Sequence, residues 1–170
     1  MQNFKTSFRH IITQGLLFVA LIIFTLQPNN FDGVMRMPIL LLVDGIAAIF
    51  FISSLMRKIT VTEDAVTVKN FMRTSTVNIN SLQYAQSLSA FARWVVILND
   101  GKHTVIMTSL TDGLAEIVEK VTPKLPNEEK DKLVAVTKES VASKKRTYDI
   151  LMFGMTLVVC YGIIRNIFGL

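Results

Sequence analysis

The sequence predicts a membrane protein of mixed α and β structure: a transmembrane helical hairpin, a cytoplasmic antiparallel β domain closed by a helix, and a third transmembrane helix. Three observations lead to this class. The chain of 170 residues is apolar, with 51% hydrophobic residues, a mean hydropathy of +0.44 and only 18% charged residues, where globular domains carry about 25%. The apolar excess lies at the two ends and the charge in the middle. The middle also alternates apolar and polar residues with the period of two that marks strands.

The first apolar run covers residues 11–26 (IITQGLLFVALIIFTL); it has no charge, Phe8 helps at its start, and Gln27-Pro28 ends it, giving a span of about 11–27. Sixteen residues rise about 24 Å, short of a hydrocarbon core of about 30 Å, so flanking residues must contribute. A small-residue cleavage site does not follow and a second run does, which reads as a retained anchor. That second run is 37–56, with Pro38 in the first helical turn and Arg57-Lys58 closing it. QPNN and Asp32-Gly33 between the runs are turn signals, so residues 1–56 are a tail and a hairpin. The third span is 148–170, preceded by Lys144, Lys145 and Arg146.

Orientation follows from where Lys and Arg gather. Lys5 and Arg9, then Arg57 and Lys58, then the three basics before residue 148 all lie on one side if the chain crosses in, out, in, and then out again. The β domain is then cytoplasmic and the C-terminus outside. Asp44 and Arg165 fall within the spans, at similar depth in the outer leaflet, where charge is expensive and is expected to pair or face a cavity. An Asp44–Arg165 ion pair joining the hairpin to the third span is the expectation; Arg165 can equally snorkel to the interface.

Between residues 57 and 149 there are 14 Lys and Arg against 11 Asp and Glu. KITVTE, DAVTVKNF, TSTVNINSL, QYAQSLS, ARWVVILND and KHTVIMTS read as six short strands, the last two joined by Asn99-Asp100-Gly101. They form a curved sheet, a small barrel or a sandwich. Asp112 is placed to cap a helix whose Leu114, Ile117, Val118 and Val121 make one apolar stripe, ended by Pro123 and Pro126. Residues 126–147 read as a polar helical linker that can run directly into the third span. Its Lys144, Lys145 and Arg146 are candidates for anionic-lipid contact, although setting topology alone accounts for them.

Ile59-Thr60-Val61-Thr62-Glu63-Asp64 leading into Val66-Thr67-Val68, then Val77-Asn78-Ile79-Asn80-Ser81-Leu82 and the helix over 112–121, resemble the pleckstrin-homology superfold, in particular bacterial PH-like domains beside transmembrane hairpins. The resemblance covers residues 57–125. It implies a module acting through interaction, in a bacterial inner membrane. Phosphoinositide-binding PH domains place basic residues at the first hairpin; here the turn is Glu63-Asp64, so headgroup binding is not carried over.

Cys160 is the only cysteine and His10 and His103 the only histidines, which leaves no intrachain disulfide and no ligand set for zinc or a His-based triad. Phosphate loops, GxSxG and HExxH motifs are missing, and the strand cations lack the aromatic platform that single-stranded nucleic acid needs. No catalytic residue, cofactor or metal is expected, and no nucleic acid. Trp94, flanked by alternating apolar residues, reads first as a core residue; the other reading makes Tyr84, Phe91 and Trp94 one exposed apolar partner patch. The expected function is a non-catalytic membrane-anchored scaffold or accessory subunit binding a membrane protein complex or a second copy of itself. The alternative is a small transporter or channel subunit using Asp44 and Arg165.

Overall fold

The computed structural model describes residues 1–27, 36–90 and 92–168. The chain runs β1 (Gln2–Lys5), α1 (Phe8–Thr25), α2 (Arg36–Met56), β2 (Lys58–Val61), β3 (Ala65–Lys69) and β4 (Thr74–Asn78). It continues with β5 (Tyr84–Ala90), β6 (Arg93–Asn99), β7 (Thr104–Thr108), α3 (Leu114–Val121), α4 (Asn127–Lys130) and α5 (Lys138–Phe168). These elements make two units, one of residues 1–7 with 56–148, the other of residues 8–55 with 149–170.

The first unit holds two antiparallel sheets, ordered β1-β2-β3-β4 and β5-β6-β7. The alternation of apolar residues sets the register: Ile59 lies opposite Val68, Val61 opposite Val66 and Val66 opposite Val77, all buried. A one-residue slip would turn that whole set outward. Val96, Leu98, Val105 and Met107 fill the same core from the second sheet, and Leu114, Ile117, Val118 and Val121 of α3 bring in the apolar stripe. The six strands read from the sequence are β2 to β7, and the hairpin at residues 99–101 turns on Gly101 at φ +85°.

Three features differ from the sequence reading. The N-terminal tail is a strand: β1 pairs with β2, Lys5 opposite Lys58, and the chain goes on through a Thr6–Thr111 bridge and a Ser7 N–H to Leu110 carbonyl bond of 2.9 Å. Residues 2–7 therefore join the first sheet to the segment after β7. Secondly, the polar segment 126–147 contributes Leu133 and Val136 to the core, and its continuous helix starts only at Lys138. Thirdly, Asp112 does not cap α3. Gly113 occupies the N-cap position at φ +78° without a side-chain cap, while the Asp112 backbone N–H donates to the Lys5 carbonyl and its carboxylate pairs with Lys145.

The second unit holds α1, α2 up to Leu55, and α5 from Asp149 onward. The helices over Phe8–Thr25, Met37–Met56 and Lys138–Phe168 are each long and apolar enough to cross a membrane. α1 meets α2 where Phe18 stacks on Phe51, centroids 5.7 Å apart, and where a Cβ on Gly15 would come within 3.3 Å of the same ring. α1 meets α5 where a Cβ on Gly162 would lie 3.2 Å from Phe24. Small residues at such points let helix backbones approach closely. Leu41, Leu42 and Phe50 of α2 and Leu157, Val158 and Ile167 of α5 are exposed apolar side chains, as lipid-facing surfaces require. The turn expected between the first two helices lies mostly outside the described residues.

Candidate functional site

Asp44 and Arg165 line one cavity of about 390 Å³ among α1, α2 and α5, walled by Leu21, Phe24, Leu40 and Tyr161. One carboxylate oxygen of Asp44, Oδ1, is buried and has no hydrogen-bond partner among the described residues. Burial of an unsatisfied carboxylate oxygen is costly, so this is a place where a cation, a hydroxyl or water is held favourably. The packing of the three helices thus brings the two intramembrane charges to a shared, mostly apolar pocket.

Beside it lies a polar tie. Gln27, 8% exposed, donates from Nε2 to the Ile163 carbonyl at 3.0 Å and accepts at Oε1 from Asn166 Nδ2 at 3.1 Å. In the sequence Gln27 reads only as a helix terminator; its partners stand more than 130 positions away, which local patterning does not reveal.

In the β unit the three basics before the third span separate. Lys145 is taken up by its ion pair with Asp112, Lys144 is half-buried and Arg146 is exposed. Arg57, which in the sequence reads as a topology signal, does more. Its Nη1 donates to Thr108 Oγ1 at 3.2 Å and its Nη2 to the Ile106 carbonyl at 3.0 Å. Burial, and next the charge of Arg93, push its pKa below the usual guanidinium value. Arg93 itself lies over the Tyr148 ring, 5.8 Å from the centroid.

Tyr84 and Trp94 do not form one patch. Tyr84 pairs with Asn99 at one end of the β5–β6 ladder and Trp94 with Ser89 at the other, about 17 Å along the strand. Their side chains also take opposite faces, since Trp94 follows the buried Val96 and Leu98 while Tyr84 alternates with buried Ala85. Trp94 packs against the core. The Tyr84 ring has the Lys132 ammonium 5.1 Å from its centroid, and that ammonium is 2.6 Å from Glu129. The Ala85 N–H, then Lys132, hold Glu129 below the usual carboxylate range, and Glu129 raises Lys132 in turn. Phe91 lies outside the described residues.

Among the described residues no three His, Cys, Asp or Glu side chains are grouped as metal ligands. Comparison of the chain with family models, with curated proteins and with solved structures gives no match.

Proposed function

We propose that the chain is a non-catalytic, membrane-anchored scaffold or accessory subunit whose β unit binds a membrane protein partner. The observation that carries this reading is how the chain passes between the β elements and the apolar helices. Only two residues separate β1 from α1, only Arg57 separates α2 from β2, and α5 is unbroken from Lys138 to Phe168. At no more than about 3.5 Å per residue, the first two junctions give the chain little length between the β elements and the apolar helices. A module tethered three times acts on something else at the membrane surface. The succession of antiparallel strands closed by the amphipathic α3 supports the PH-like reading of this module.

The same pairing supports the sidedness. β1 precedes the hairpin and β2 follows it, and their pairing supports a hairpin whose two ends share one side of the membrane. The basic clusters around residues 5–9, 57–58 and 144–146 then share that side, which the positive-inside rule makes cytoplasmic. The C-terminus follows α5 across.

The test is mild-detergent purification of the tagged protein with mass spectrometry, beside the Asp44→Leu variant. Stoichiometric co-purification of a larger membrane complex is expected, and the protein emerging alone would overturn the accessory reading. One observation favours a second reading, a transporter or channel subunit: Asp44 and Arg165 line one cavity, and an Asp44–Arg165 pair is part of that proposal. Ion flux in proteoliposomes, lost in Asp44→Leu, distinguishes it.

A further inference from the structure

Two arginines, Arg93 of β6 and Arg57 before β2, bear on the three-stranded sheet, and among the described residues no ion pair to an acid is formed by either. Val96 and Leu98 of β6 and Val105 and Met107 of β7 point into the core, so Arg93, Val95, Ile106 and Thr108 lie on the other face. Val95 and Thr108 are partners across the ladder. Arg57 bonds to Thr108 Oγ1 and to the Ile106 carbonyl, which brings its guanidinium to Thr108 on this face, within electrostatic reach of Arg93. The ion pairs His103–Asp100, Lys132–Glu129, Lys138–Glu119 and Lys145–Asp112 leave Arg57 and Arg93 without an acid among the described residues. Arg57 Nε is buried and has no hydrogen-bond partner among the described residues.

Burial and the charge of Arg93 both disfavour the Arg57 cation, and an anion between the two guanidiniums would reverse the sign of that interaction. Guanidinium forks match the oxygens of a phosphate. The position in the chain indicates which phosphate. Arg57 is the first residue after α2, and Tyr148, under Arg93, ends the β unit's share of α5 just before its apolar stretch. Leu88, cross-strand from Val95, and Ile106 expose apolar surface on the same face. A cationic pair within an apolar rim, joined directly to two membrane helices, suits a lipid headgroup better than a soluble metabolite.

We propose that Arg57 and Arg93 form a phosphate site occupied by the headgroup of an anionic phospholipid, with Tyr148 positioning Arg93. The proposal rests on the three helices being spans, which cysteine labelling tests separately. The full-length protein in neutral detergent is titrated with phosphatidylglycerol, phosphatidylcholine or inorganic phosphate, reading retained lipid by native mass spectrometry and thermal stability by Trp94 fluorescence. Phosphatidylglycerol is expected to be retained and to raise Tm. Arg93→Gln weakens that binding by about tenfold or more, as loss of charge-assisted hydrogen bonds predicts. Arg93→Lys, which keeps the charge but loses the fork, weakens it several-fold and serves if the glutamine variant folds poorly. Lys102→Gln, the same charge change at the far end of β6, leaves it unchanged. Unaltered retention in both Arg93 variants overturns the site. Equal loss in Lys102→Gln reduces it to net charge and overturns it as well. Inorganic phosphate matching the effect while the lipid has none would replace the lipid with a free anion.

Discussion

Gly113→Ala tests how the N-terminal strand is held. Gly113 adopts φ +78°, and a Cβ there would lie 2.2 Å from Cδ1 and Cε1 of Phe4, the β1 side chain packed against the core. Left-handed backbone costs a residue with a Cβ about 1 kcal/mol. Displacing the partly buried Phe4 ring costs about 2 kcal/mol more, about half of what deleting a fully buried Phe costs. The expected loss is therefore about 3 kcal/mol. It is measured by urea unfolding of the full-length protein in mild detergent, followed by the fluorescence of Trp94, the only tryptophan. In a Phe4→Ala background the clash is gone, and Gly113→Ala should cost only the backbone part, about 1 kcal/mol. Equal costs in both backgrounds would refute the argument, because the effect would then owe nothing to Phe4 and the seating of β1.

Three further outcomes follow from named contacts. Leu133→Ala should destabilise the β unit by about 2–4 kcal/mol in the same unfolding assay, as a buried core leucine does; a loss under about 0.5 kcal/mol would return residues 126–147 to the status of a linker. Asp100 is held at about 2, first by the Asn78 N–H at 3.0 Å, then by those of His103 and Lys102. Because its folded value lies below the ordinary value near 3.9, it stabilises the fold above about pH 4 and that contribution is lost as pH falls towards 2. Asp100→Asn should flatten the Tm-against-pH curve in that window, and an unchanged curve would contradict this. Finally, Asp44→Arg combined with Arg165→Asp should recover the complex or flux that either single change loses; double failure would break the proposed ion pair.

The sequence makes the β elements legible where the physics is local. Alternating Val and Ile with one buried face specify β2 to β4 and their register, and Asn99-Asp100-Gly101 marks its turn because only a few residues tolerate that backbone. β1 is illegible for the opposite reason. Gln2-Asn3-Phe4-Lys5 has a single apolar residue, and its partner strand lies beyond the whole hairpin. The Asp112 cap is a sound local expectation overridden by tertiary contacts: Lys5 and Lys145 claim the residue, and the αL turn at Gly113 makes way for Phe4. Leu133 and Val136 are hidden among lysines and glutamates, where no periodicity separates a core contact from a chance apolar residue. Asp44 and Arg165 could be picked out because charge within an apolar run is conspicuous, whereas Gln27 and Arg57 act through partners far away in sequence. Arg57 in particular carries no local sign that it covers the β7 edge rather than merely marking the end of a span.

We propose that one β unit, assembled from strands that precede and follow the helical hairpin in sequence, is held at the cytoplasmic surface of a membrane. The most direct test is cysteine labelling in cells, in a Cys160→Ser background, with a membrane-impermeant maleimide at Lys102→Cys in the β unit and at Asn30→Cys between the first two apolar segments. Labelling of position 30 in intact cells, with position 102 reacting only after permeabilisation, is the predicted result. Reaction of both positions from the same side would contradict it, because the first two helices would then not cross.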